Sequence, residues 1–139
     1  MNNKVLVAID IYEEKTAQKL LEYATQVLHP EGELTIVNVL DLNLNSSMID
    51  RFYDVKREYV DSTQKRILRL VKQCVPSDIQ YSISVLNGKA YDEILELAEK
   101  SGVDMILVGA YRQVMRDYLL GNTATKVVRH AKCSVTVLR

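Results

Sequence analysis

Gly109 and Gly121 bracket the stretch of this 139-residue chain whose residue types point most directly to ligand chemistry. Gly109 ends an apolar run, and Gly121 precedes a short helical pattern whose first turn offers Asn122, Thr123 and Thr125. Backbone N–H groups at a helix N-terminus hold anions, and glycine lets a ligand approach the main chain closely. Between the two glycines the only basic residues are Arg112 and Arg116, and an arginine fork reaches phosphate oxygens through paired bonds. Phosphate is the ligand chemistry these residues suggest. On these residues alone the alternative is that Asn122 or Thr123 simply N-caps the last helix while the arginines are solvated.

Other chemistries find less support. No GxxxxGK[ST] is present, since Asn122 follows Gly121 and Lys126 lies five residues on, and GxGxxG is absent too. His29 and His130 are expected at helix ends, where a cation favours the dipole, and neither stands near a Cys or Ser motif that would make a nucleophile and base. Cys74 and Cys133, 59 positions apart and without metal-ligand spacing, are expected as buried thiols. Asp50, Asp54, Glu58 and Asp61 follow helical spacing but are interleaved with Arg51, Lys56 and Arg57, the pattern of a solvated charged face. Eighteen basic residues balance eighteen acidic ones without a basic cluster, which argues against a nucleic-acid partner. The opening apolar run is too short and wrongly flanked for a signal peptide, and no run approaches a membrane span, so a cytoplasmic protein without membrane association is expected.

The elements that must position Gly109 and Gly121 follow from apolar periodicity. A chain of this length is expected to form one domain, 1–139, burying roughly two-thirds of its unfolded surface. Val5 to Ile9 is a continuous run ending at Asp10, the mark of a strand buried on both faces. From about Glu14, the residues Ala17, Leu20, Leu21, Ala24, Val27 and Leu28 predict a helix, with Pro30 and Gly32 as its stop. Leu34 to Leu40 reads as a second strand, followed by a helix from about Ile49 that carries Val60, Ile67, Leu68 and Val71 and ends at Pro76. Tyr81 to Val85 alternates strictly, as an edge strand does. A helix with Tyr91, Ile94, Leu95 and Ala98 closes at Gly102, and Met105 to Val108 is a buried strand. A short helix with Ala124, Val127, Val128 and Ala131 precedes the last strand, Val135 to Leu138.

Strands and helices that alternate in this way imply a parallel sheet covered on both faces, with right-handed crossovers. In such sheets ligands bind beyond the carboxyl ends of the strands, where the strand order reverses. Those ends are Ala8-Ile9-Asp10, Val39-Leu40-Asp41, Asn87-Gly88 and Val108-Gly109.

The stretch from Gly109 to Arg139, with the opening Val5-Leu-Val-Ala-Ile-Asp10 and the run Asp104-Met-Ile-Leu-Val-Gly109, resembles the universal stress protein family over essentially the full chain. The resemblance implies a five-stranded parallel sheet in the order 3-2-1-4-5 with helices on both faces, a Rossmann-like fold of the adenine nucleotide alpha hydrolase type. Nucleotide-binding members carry Gly-x2-Gly-x9-Gly-Ser/Thr. Gly109 and Gly121 match the outer glycines, while Arg112 stands at the middle glycine, the loop is one residue shorter, and Asn122 replaces the hydroxyl residue. Gly-x-x-Arg, Tyr118-Leu-Leu-Gly121 and Val127-Val-Arg-His-Ala-x-Cys-Ser-Val135 resemble the F and G branch of the bacterial family, which shares the shorter spacing.

By resemblance the ligand is ATP or AMP, with no dedicated metal site, and the candidate residues are Ala8, Ile9, Asp10, Val39, Val108, Gly109, Arg112, Gly121, Asn122 and Thr123. Asp10 and the Val39 backbone would approach the adenosine, and Gly121, Asn122 and Thr123 the phosphates. For Asp10 a turn role capping the first helix is compatible with this. The family also implies a homodimer through the last strand, Val135 to Leu138, acting with an unidentified protein partner. The expected function is a nucleotide-binding regulatory module of the stress response. The alternatives are a dimeric interaction protein with a degenerate site and, with less behind it, a slow ATPase or self-phosphorylating enzyme.

Overall fold

Val5, Leu6 and Val7 are fully buried, which a strand achieves only when both of its faces are covered. The computed structural model, which describes residues 2–41, 53–110 and 120–139, sets them in the central strand of a five-stranded sheet. The strands are β1 (Asn2–Ala8), β2 (Leu28–Leu40), β3 (Gln80–Asn87), β4 (Met105–Gly109) and β5 (Ser134–Leu138). Their order is β3-β2-β1-β4-β5 and every pairing is parallel, as the sequence resemblance implied. The described helices are α1 (Glu14–Val27), α2 (Tyr53–Cys74), α3 (Ala90–Ser101) and α4 (Asn122–His130).

Strand alternation sorts the core into two layers. Val5 and Val7 of β1, Leu34 and Ile36 of β2, and Met105 and Leu107 of β4 pack against α1 and α2. Leu6, Val37, Ile106 and Val108 face the other way, against Ile94 and Ala98 of α3 and Ala124 and Val127 of α4. The β1–β4 register is clamped at its lower end by one carboxylate. Asp104 Oδ2 accepts the N–H of Asn3 at 2.8 Å and of Lys4 at 2.9 Å, while the Asp104 N–H donates to the Lys4 carbonyl at 2.8 Å.

Several sequence expectations are corrected. Helix α1 stops at Val27, and β2 begins at once at Leu28, running through Pro30 and Gly32. The register jumps there, from Asn2 opposite Leu28 to Lys4 opposite Glu33, so the bulge absorbs the proline. His29 therefore lies in a strand, not at a helix end, and its Nδ1 accepts the Glu31 N–H at 3.1 Å. In α2 the buried positions are Thr63, Ile67, Leu70 and Val71, with Val60 and Leu68 only half-buried. In α4 Val128 is 48% exposed although its neighbour Val127 is buried, because a 3.6-residue period turns adjacent positions to different faces. Cys74 and Cys133 are half-buried, free thiols. Burial is the main influence that pushes both thiols up, so neither is poised as a thiolate nucleophile at neutral pH. Asp54, Glu58 and Asp61 are exposed as expected, whereas Asp50 and Arg51 lie outside the described residues.

Gly102 closes α3 in the left-handed region, φ 64° and ψ 40°, with open space where a Cβ would stand. Gly102→Ala therefore tests backbone conformation alone, and is expected to lower stability by about 1–2 kcal/mol in urea unfolding, with Gly102→Asn losing less.

Candidate functional site

The centre of the sheet is also where its strand order reverses: β2 follows β1 on one side and β4 lies on the other. The chain leaves β1 through a loop held bond by bond. The Ile9 N–H donates to the Val37 carbonyl at 2.9 Å, and the Ile11 N–H to Asn38 Oδ1 at 3.0 Å. Asp10, between those two buried isoleucines, accepts the Tyr12 N–H on Oδ1 and the Glu13 N–H on its carbonyl, both at 2.9 Å. Asp10 is thus a turn residue, but the cap position of α1 belongs to Glu13.

Val39 lies two residues beyond Val37 on the same side of β2, so its N–H and C=O point to where β1 would have continued. The chain has already turned away there, and Asn38 has taken the Ile11 N–H that a longer β1 would have brought to Val39. A main-chain donor and acceptor pair is left facing a crevice.

Across the crevice, β4 ends at Gly109. The Ala110 N–H donates to the Leu138 carbonyl at 2.9 Å, and the Gly121 N–H to the Ala110 carbonyl at 2.7 Å, which brings the start of α4 beside the end of β4. Gly121, extended at φ −62° and ψ 159°, is the N-cap, so neither Asn122 nor Thr123 holds that position. The helical bonds begin with the Thr125 N–H on the Gly121 carbonyl at 3.0 Å. The N–H groups of Asn122, Thr123 and Ala124 consequently have no intrahelical acceptor, and a glycine cap supplies no side-chain oxygen to take them.

These elements enclose a cavity of about 390 Å³. Ala8, Ile9, Asp10, Val39, Val108, Gly109, Gly121, Asn122 and Thr123 all line it, whereas Arg112 and Arg116 lie outside the described residues. Glu13, Thr16, Leu20, Val37, Ala90, Ile94 and Ala124 complete the wall without having been singled out in the sequence. Leu20, Val37, Ile94 and Ala124 were visible in the sequence only through helix or strand periodicity, and Glu13, Thr16 and Ala90 through no pattern at all. Gly109 proves to have a packing role: a Cβ there would meet Thr16 Cγ2 at 3.0 Å, so β4 and α1 approach each other through it. The arrangement can take an apolar ring system between strand ends and an anion at the α4 terminus. Among the described residues no group of three or more His, Cys, Asp or Glu could hold a metal ion. No helix among them is long and apolar enough to cross a membrane.

Comparison with known proteins agrees with this architecture. The sequence model of the universal stress protein family matches residues 1–139. Universal stress protein G of Shigella flexneri is 26% identical over 142 residues, covering 100% of each chain. Universal stress protein UspA from Lactobacillus plantarum superposes with a TM-score of 0.72 at 21% identity, over 99% of this chain and 97% of that one. A family protein from Arabidopsis thaliana with AMP bound superposes with a TM-score of 0.62 at 16% identity, over 98% and 90%.

Asn38 is 3% exposed and supplies the acceptor that holds the Ile11 N–H. Asn38→Leu keeps the number and branching of side-chain heavy atoms but orphans that donor, and a loss of about 1–3 kcal/mol in urea unfolding is expected.

Proposed function

The chain belongs to the universal stress protein family, and from that premise we propose that it is a regulatory module that binds an adenine nucleotide, AMP or ATP, in the β1/β4 crevice. The observation that carries this is the joining of two unlike features in one cavity: an apolar slot between strand ends, and the first-turn N–H groups of α4. An adenine ring offers a donor and an acceptor on one edge, which the Val39 main chain complements. Ala8, Ile9 and Val108 would flank the adenosine and Asp10 would accept its ribose hydroxyls, while Gly109 lets α1 close against the slot. The phosphate would lie on Gly121, Asn122 and Thr123, where the N–H groups and the helix dipole favour negative charge. The AMP-bound Arabidopsis relative supports the ligand class. Arg112, at the family's middle glycine, is assigned to the same phosphate by its charge.

Binding requires no turnover, so the nucleotide acts here as a signal rather than a substrate. In this proposal the module is one domain and works as a cytoplasmic homodimer. Edge strand β5, with Val135 and Val137 half-buried, is the surface offered to a second copy, and the two free thiols suit a reducing compartment.

Titration calorimetry with AMP, ADP and ATP tests the proposal. Gly121 has extended backbone angles open to any residue, so Gly121→Asp is expected to fold normally while losing nucleotide binding through its side chain and like charge. Silent calorimetry with the unaltered protein would favour the degenerate-site alternative, and unchanged affinity in Gly121→Asp would reject the phosphate position.

A further inference from the structure

A second cavity, of about 760 Å³, adjoins the first and has about twice its volume. The two share Asp10, Val39, Ala90, Asn122 and Thr123, so the start of α4 stands at their junction. Their walls differ in chemistry. Beyond the junction the second cavity is lined by Tyr12, Tyr59 and Tyr91, by the acidic residue Asp41, and by the basic residues Lys89 and Lys126. The Tyr12 and Tyr59 hydroxyls bond to each other, and the Lys126 ammonium sits 4.0 Å from the Tyr91 ring centre. Tyr12, Tyr59 and Lys126 come from three different segments, the β1–α1 loop, α2 and α4.

Resting on the nucleotide assignment above, we propose that the two cavities form one bipartite site for a dinucleotide, two nucleosides joined through phosphates. One adenosine lies in the first cavity, the bridging phosphates pass over Asn122 and Thr123, and the second nucleoside lies in the second cavity. A bare polyphosphate tail is the competing occupant of that space. It would use the lysines, but it is repelled by Asp10 and Asp41 and has no use for three aromatic rings. A nucleoside uses the rings, Asp41 and the lysines together. Its base stacks on tyrosine, its ribose hydroxyls and exocyclic amine donate to carboxylates, and Lys89 and Lys126 balance the bridging phosphates.

The test compares AMP, ATP, diadenosine triphosphate and diadenosine tetraphosphate by titration calorimetry on the full chain and on two variants. Tyr12→Ala removes a ring that is 66% exposed and outside both core clusters, so it keeps the fold, as a matched thermal unfolding curve would show. Tyr91→Ala removes a second ring, and Tyr91→Phe should restore its effect. A diadenosine polyphosphate is expected to bind at least about tenfold more tightly than ATP, and the alanine variants to lose most of that advantage while AMP affinity holds. Dinucleotide affinity equal to or below that of ATP, with AMP still bound, would overturn the second half of the site and leave the mononucleotide site standing. A dinucleotide advantage untouched by both alanine variants would likewise overturn it. Failure of every nucleotide to bind would overturn the mononucleotide site as well.

Discussion

Everything in this protein depends on the parallel pairing of β1 with β4. Val5, Leu6 and Val7 lie opposite Met105, Ile106 and Leu107, and each of those six side chains is at most 6% exposed. The Asp104 carboxylate ties the lower ends together, so the strands can part only at the upper ends. There β1 turns toward α1 and β4 toward α4, and a gap follows from the connectivity itself. The gap is a product of the fold before it is a site.

What makes the gap chemically specific is a small set of polar groups around an apolar slot. Asn38 diverts the Ile11 N–H, which leaves the Val39 main chain facing the crevice. The glycine cap of α4 leaves the first-turn N–H groups of that helix without a local acceptor. Neither arrangement needs a charged side chain deep in the core, where it would be costly to bury. A ligand with a flat ring at one end and an anion at the other meets both requirements.

Much of this was legible in the sequence. Val5 to Ile9 and Met105 to Val108 read as doubly buried strands because β-branched and aliphatic residues there run without interruption, and Gly102 marked a helix end because few other residues tolerate its backbone angles. The switch point followed from alternating strands and helices. The early start of β2 was not legible. Pro30 and Gly32 ordinarily break structure, and only the tertiary bulge against Asn3 explains them: a Cβ at Gly32 would lie 2.6 Å from the Asn3 carbonyl oxygen. Asn38 escaped notice because a single polar residue inside an apolar strand carries no sign of the partner it will find 27 residues away. The packing role of Gly109 was equally hidden, since a glycine required by a neighbouring helix and one required by a ligand look alike in sequence. Arg112 was legible as a departure from the family pattern, and it lies outside the described residues.

Occupancy of the β1/β4 crevice by an adenine nucleotide is tested most directly by a crystal structure of the chain grown with saturating AMP. Electron density for adenosine between Ala8–Asp10 and Val108–Gly109, with the adenine edge on the Val39 main chain and the phosphate on the N–H groups of Asn122 and Thr123, is the predicted result. Nucleotide bound at any other surface, or a crevice that holds only water at saturating AMP, would contradict it.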